Sequence, residues 1–156
     1  MIKQNDERCM PIIRRIGCFV RSCGAIAEIK TGKELSAYQI NILWVWAKKH
    51  GYVNTHDDVV ESAPIANEAL RMLGDTGRFV EIATKYPEKA PQYYKWVDDG
   101  MKNGEKFFIQ KIRTHGKMKT HFRVVNEKGK LVFDPFEPAV HVVGEFHTVV
   151  YLYLGG

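Results

Sequence analysis

Lys106-Phe107-Phe108-Ile109-Gln110-Lys111-Ile112 marks the point where the texture of this chain changes. Its aromatic and β-branched residues read as a strand. Similar runs follow in Phe122-Arg123-Val124-Val125, Leu131-Val132-Phe133 and Val149-Val150-Tyr151-Leu152-Tyr153-Leu154. Upstream, the apolar spacing is helical. A helix is expected from Cys18 to about Ile29, with Phe19, Ala25, Ile26 and Ile29 toward the core and Thr31-Gly32-Lys33 as its stop. Ser36 and Gln39 match a capping box, each side chain satisfying a free N–H at a helix start. That helix should run to about His50 and end at Gly51, burying Ile40, Leu43, Trp44 and Ala47. A third helix is expected over 64–73, with Ser62 or Ala63 before it and Gly74 after it, and a fourth over 91–99. The segment before Cys18 reads as irregular. Helices first and strands afterwards predict an α+β domain, with N-terminal helices packed on a C-terminal antiparallel sheet.

The 156 residues suit a single domain spanning 1–156, since no linker-like stretch divides them. Three cysteines are too few, and odd in number, for a disulfide framework. The N-terminus lacks the apolar core of a signal peptide, and no apolar run is long enough to span a bilayer. The expectation is a cytoplasmic protein, off the membrane, in a reducing compartment where a reactive thiol persists. The net charge of +5 owes much to Lys106, Lys111, Arg113, Lys117, Lys119 and Arg123. With no recognition helix and no repeated basic–aromatic pattern, that cluster reads as a solvated strand face, and nucleic acid as an improbable partner. Nothing in the sequence sets an oligomeric state.

Three residues far apart in the chain carry chemistry when read together. Cys18 opens the first apolar helix after Gly17; His121 starts one strand; Asp134 ends the next. A helix N-terminus bears roughly half a positive charge, which favours thiolate over thiol. An imidazole takes the thiol proton, and a carboxylate fixes the imidazole tautomer. With Lys128-Gly129 as a two-residue hairpin loop, Glu127 pairs with Lys130 and Arg123 faces Asp134. His121 is then diagonal to Asp134 on one face, roughly 7–8 Å away at the backbone. A longer loop without a compensating bulge would put them on opposite faces.

These residues resemble a family. Gln4-Asn5-Asp6, then Gly17-Cys18 opening a helix, then His121-Phe122-Arg123-Val124-Val125 and Val132-Phe133-Asp134-Pro135 follow the order of papain-like cysteine peptidases. The nearest branch is that of the bacteriocin-leader processing peptidases, together with a small uncharacterised group with a Gly-Cys-aromatic helix start. The resemblance runs from Gln4 to Pro135 and implies a papain-like fold. It also implies a peptidase or amidase working through a thioester acyl-enzyme, with no metal or organic cofactor and a peptide or protein substrate. Cys18 would be the nucleophile, His121 the general base and Asp134 its orienter. Gln4 would donate to the oxyanion hole beside the Cys18 backbone N–H. The pattern departs from the family in two places. Phe19 and Val20 stand where Gly and Pro usually follow the cysteine, and Thr120 stands where Gly usually precedes the histidine. Bulk beside the thiol would narrow the cleft, change the substrate, or mark a catalytically inactive module that binds peptide or protein.

Competing readings remain open. Cys23-Gly24 mimics the Cys-Gly start of relatives, although a position more than a turn into a helix reads better as core. His115, in a turn-like segment, competes with His121, and Cys9 reads as incidental. Asp134 before Pro135 could be a turn former. His56-Asp57-Asp58, His141 and His147 lack the spacing of a zinc site, and there is no Cys-x-x-Cys pair. Gly74-Asp75-Thr76-Gly77 lacks the lysine of a phosphate loop and reads as a helix stop. The aromatic runs Trp44-Val45-Trp46 and Gln92-Tyr93-Tyr94-Lys95-Trp96 read mainly as core.

Overall fold

A computed structural model describes residues 1–86, 104–115 and 119–155. Among them the chain forms helices α1 (Pro11–Ile16), α2 (Cys18–Thr31), α3 (Ala37–Lys49) and α4 (Ala63–Met72). Strands β1 (Arg78–Lys85), β2 (Lys106–Arg113), β3 (Thr120–Val125), β4 (Leu131–Phe133) and β5 (Gly144–Leu154) follow. The five strands make one antiparallel sheet in the order β1-β5-β2-β3-β4. The chain is therefore α+β. The helix expected over 91–99 lies outside the described residues, as does the Gln92–Trp96 aromatic run. No described helix is long and apolar enough to cross a membrane.

The helical expectations hold where capping chemistry is strong. Ser36 Oγ accepts from the Gln39 N–H at 3.1 Å, and Gln39 Oε1 accepts from the Ser36 N–H at 2.9 Å. Ile40, Leu43, Trp44 and Ala47 are buried as their spacing demands. Gly51 and Gly74 take left-handed φ values just past their helices. Two readings are corrected. The segment before Cys18 is irregular only up to Met10, because Pro11 sits in the first turn of α1, where its missing N–H costs nothing. Ile29 is exposed, since α2 turns that face outward beyond Ile26.

β1 is an addition the sequence reading lacked. A register shift between Glu81 and Ala83 breaks its alternation. Phe79 therefore enters the main core with α2 and α4, while Ala83 joins Phe108, Val125 and Val150 in a smaller cluster. α2 lies in the middle of the main core, against α4 and β3. A sequence-invisible ion pair crosses it: Arg21 Nη1 and Glu28 Oε1 are 2.5 Å apart, two turns apart on one helix and both out of water. Arg21 Nε also donates to the Ile2 carbonyl at 2.6 Å, and the Leu35 N–H donates to Glu28 Oε2 at 3.2 Å. This network ties the N-terminal segment to the helix that starts at Cys18.

Candidate active site

Gly17 sets the start of α2. Its N–H closes α1 on the Ile13 carbonyl at 2.8 Å, and its carbonyl accepts the first α2 bond from the Arg21 N–H at 2.8 Å. A Cβ here would lie 2.6 Å from the Ile13 carbonyl oxygen, so only glycine permits the junction. Cys18 follows at the first position of α2, partly exposed. Among the described residues nothing accepts from its backbone N–H, which leaves that donor free.

His121 comes from β3 and Asp134 from the end of β4. The connection is not the expected two-residue loop. The Asn126 N–H donates to the Lys130 carbonyl, enclosing Glu127-Lys128-Gly129, with Gly129 at φ 78°. Val125 pairs with Leu131 but Val124 pairs with Phe133, so Val132 is a bulge residue. The bulge cancels the extra loop residue and restores the register, keeping His121 diagonal to Asp134.

His121 Nε2 donates to Asp134 Oδ1 at 2.7 Å, with both side chains buried. Asp134 is held further by the Phe136 N–H on Oδ1 at 2.9 Å and the Val140 N–H on Oδ2 at 2.8 Å. Burial opposes its charge, but these three donors outweigh it and hold the carboxyl below its usual range. Burial also opposes a charged imidazole. The Asp134 hydrogen bond and the adjacent Cys18 thiol outweigh it in turn, raising His121 to about 9. The other ring nitrogen, Nδ1, is buried with no partner at hydrogen-bond geometry. It is the ring nitrogen left to exchange a proton at the site.

Gln4 reaches the same place from the N-terminal segment. Its N–H donates to the Pro135 carbonyl at 2.6 Å, Lys3 Nζ donates to the Asp134 carbonyl at 2.7 Å, and Asn5 bonds Glu137. Gln4 Nε2 donates to the Ile13 carbonyl at 3.2 Å, with the Arg14 carbonyl at 3.5 Å. The amide nitrogen thus faces the last turn of α1, with the second contact at the limit of hydrogen-bond length. Gln4 and Cys18 both line a cleft of about 550 Å³, with Arg14, Arg15, Phe19, Asp58, Thr120, Phe122 and Phe136 also on its walls. Phe19 and Thr120 therefore face the cleft while Val20 is buried in the core, and Phe19 stacks on Phe122 at 4.0 Å.

The competing residues lie elsewhere. Cys23 is wholly buried, and burial drives its thiol pKa upward. Cys9 is buried, with its thiol near the Lys3 carbonyl. His115 stacks on His141 with ring centroids 6.0 Å apart. His56-Asp57-Asp58, weighed in the sequence only as metal ligands, line the thiol cleft instead, with Asp57 paired to Lys48. Among the described residues no three His, Cys, Asp or Glu side chains converge as metal ligands. Asp75 accepts from the Gly77 N–H and the Tyr153 hydroxyl, as a helix stop does.

Partly exposed thiol, free helix N–H, buried imidazole and carboxylate are the parts an acyl-transfer site needs. No family model matches the chain, and neither a curated protein nor a solved structure matches it.

Proposed function

We propose that this chain is a papain-like cysteine hydrolase, a peptidase or amidase acting through Cys18, His121 and Asp134. The observation that carries the reading is the buried His121–Asp134 pair with Nδ1 left unpartnered, together with a partly exposed Cys18 thiol at the start of α2. A structural histidine in a core satisfies both nitrogens; this one leaves Nδ1 without a partner.

In the proposed reaction, His121 Nδ1 takes the Cys18 proton while Nε2–H stays on Asp134, which stabilises the imidazolium. Cys18 Sγ attacks the substrate carbonyl carbon, and the oxyanion receives the Cys18 backbone N–H and a Gln4 side-chain N–H. Collapse breaks the C–N bond, with the Nδ1 proton going to the leaving amine. Water then gives its proton to Nδ1 and attacks the thioester, releasing the acid and the Cys18 thiol. The scheme calls for no metal or organic cofactor, and its partner is a peptide or protein substrate.

The stacked Phe19–Phe122 pair favours a second reading, a module that binds peptide in the cleft without cleaving it. An epoxysuccinyl peptide probe separates the two. The hydrolase alkylates at Cys18 in the wild type and loses labelling in His121→Ala, located by peptide mass spectrometry. Equal labelling of Cys18 in both proteins would sink the catalytic assignment.

A further inference from the structure

We propose that a ledge leading out of the Cys18 cleft, built from Phe122, Lys111, Phe146 and Arg113, docks an acidic segment of the peptide substrate. Phe122 lines the cleft. Lys111 is its register partner on β2, so the two side chains share a face of the sheet. Lys111 Nζ stands over the Phe122 ring at 5.7 Å and over Phe146 at 5.1 Å. Arg113, two residues on along the same face, stands over Phe146 at 4.3 Å. The register shift between β2 and β5 lies beside Phe146, leaving it with no opposite residue, and brings its ring under both cations. Lys111, Arg113, Phe122 and Phe146 thus form a continuous stripe.

Charge decides the occupant. Among the described residues no carboxylate pairs with Lys111 or Arg113, although acidic groups neutralise Arg8, Lys30, Lys48 and Arg71 elsewhere. Arg14 and Arg15 add two cations on the cleft wall, where, among the described residues, Asp58 is the one unpaired carboxylate. The positive field of Lys111 is felt by His147, which it helps to push below the usual imidazole range after burial. Cations already laid on rings lose little further rotamer freedom when a carboxylate binds them. Nucleic acid would need free ring faces for base stacking. Here Phe19 covers one face of Phe122, and cations occupy the Phe146 ring. The acidic peptide is the better fit.

This inference rests on the peptide reading of the cleft, but its test does not depend on turnover. Full-length Cys18→Ala protein is titrated at low salt with the decapeptides (Gly-Glu)5 and (Gly-Gln)5, followed by NMR. The expected result is at least tenfold tighter binding of (Gly-Glu)5, with the largest shifts at Phe122 and Phe146. The Lys111→Gln/Arg113→Gln pair should cut that preference below twofold, while Lys49→Gln/Lys128→Gln should retain it. Equal binding of the two peptides would overturn the proposal. So would a preference that survives loss of Lys111 and Arg113, or a ten-residue oligothymidylate that outcompetes (Gly-Glu)5 on the same residues. Failure here leaves the Cys18 labelling result untouched, so the two readings fail separately.

Discussion

Asp134 Oδ1 accepts the Nε2–H of His121 at 2.7 Å across a hairpin whose three-residue loop and single bulge cancel each other. Loop length alone would have turned the two side chains to opposite faces. The bulge at Val132 is therefore part of the site. Deleting Val132 should separate His121 from Asp134 while leaving most of the sheet intact. NMR would show the loss as a change in the His121 ring-nitrogen shifts with little change along β2 and β5.

The pH dependence follows from the same pair. His121 is raised to about 9 from an ordinary 6.5, so its charged form favours the folded state. That contribution is complete below about 6.5 and is lost as pH rises through about 9. Asp134 is held below its ordinary 3.8, so its contribution is present above that value and lost as pH falls below it. Wild-type melting temperature should fall between pH 7 and 10, and His121→Asn should flatten that fall. Thermal denaturation at stepped pH checks it, and a flat wild-type curve across this range would contradict the linkage.

Asp134→Asn keeps the size of the orienting group but can hold the wrong imidazole tautomer. The expected cost is on the order of 10⁴-fold in rate, as for an amide in the orienting position of a serine triad. Asp134→Ala instead strands the Phe136 and Val140 N–H groups and should cost about 3 kcal/mol of stability. Chemical denaturation should show the asparagine destabilised as well, since its NH2 must face one of the N–H donors that the carboxylate satisfies, but less than the alanine.

Gly17→Ala should cost about 2 kcal/mol, because the new methyl meets the Ile13 backbone and either α1 or Cys18 must shift. Cys18→Ala, by contrast, should leave stability within about 1 kcal/mol. Denaturation curves of the two variants test whether glycine is required by the helix junction or by the thiol.

Arg21→Ala leaves the Glu28 carboxylate buried without its partner and should cost about 3–5 kcal/mol. The matched Arg21→Met/Glu28→Leu pair should recover most of that stability. It should not recover activity, because the Ile2 carbonyl loses its tether and Gln4 its registration. Rate and stability measured on both variants distinguish a structural ion pair from one that positions the N-terminal segment.

Much of this architecture is legible in the residues, and the exceptions have physical causes. The Ser36–Gln39 box and the Ile40, Leu43, Trp44, Ala47 stripe are local signals, and local signals survive folding. Strands β2 to β5 follow from aromatic and β-branched runs. β1 escaped because its bulge splits its apolar residues between two cores, so no clean alternation remains. α1 escaped although Pro11, the basic last turn and Gly17 all mark a helix; six residues offer no periodicity. Within the site, the order of Cys18, His121 and Asp134 could be read, as could the chance that they meet. The Arg21–Glu28 pair could not, since two charges on an apolar helix read as solvent-facing until tertiary contacts bury them. The cation–aromatic ledge was hidden for a related reason: it depends on a register shift between β2 and β5.

The most direct measurement of the central claim is the rate of Cys18 alkylation by iodoacetamide against pH, in wild type and His121→Ala, with the label located by mass spectrometry. The account predicts fast labelling at pH 6 that is lost with His121, as a thiolate–imidazolium pair requires. Slow labelling that rises only near the ordinary thiol value of about 8.5 in both proteins would contradict it.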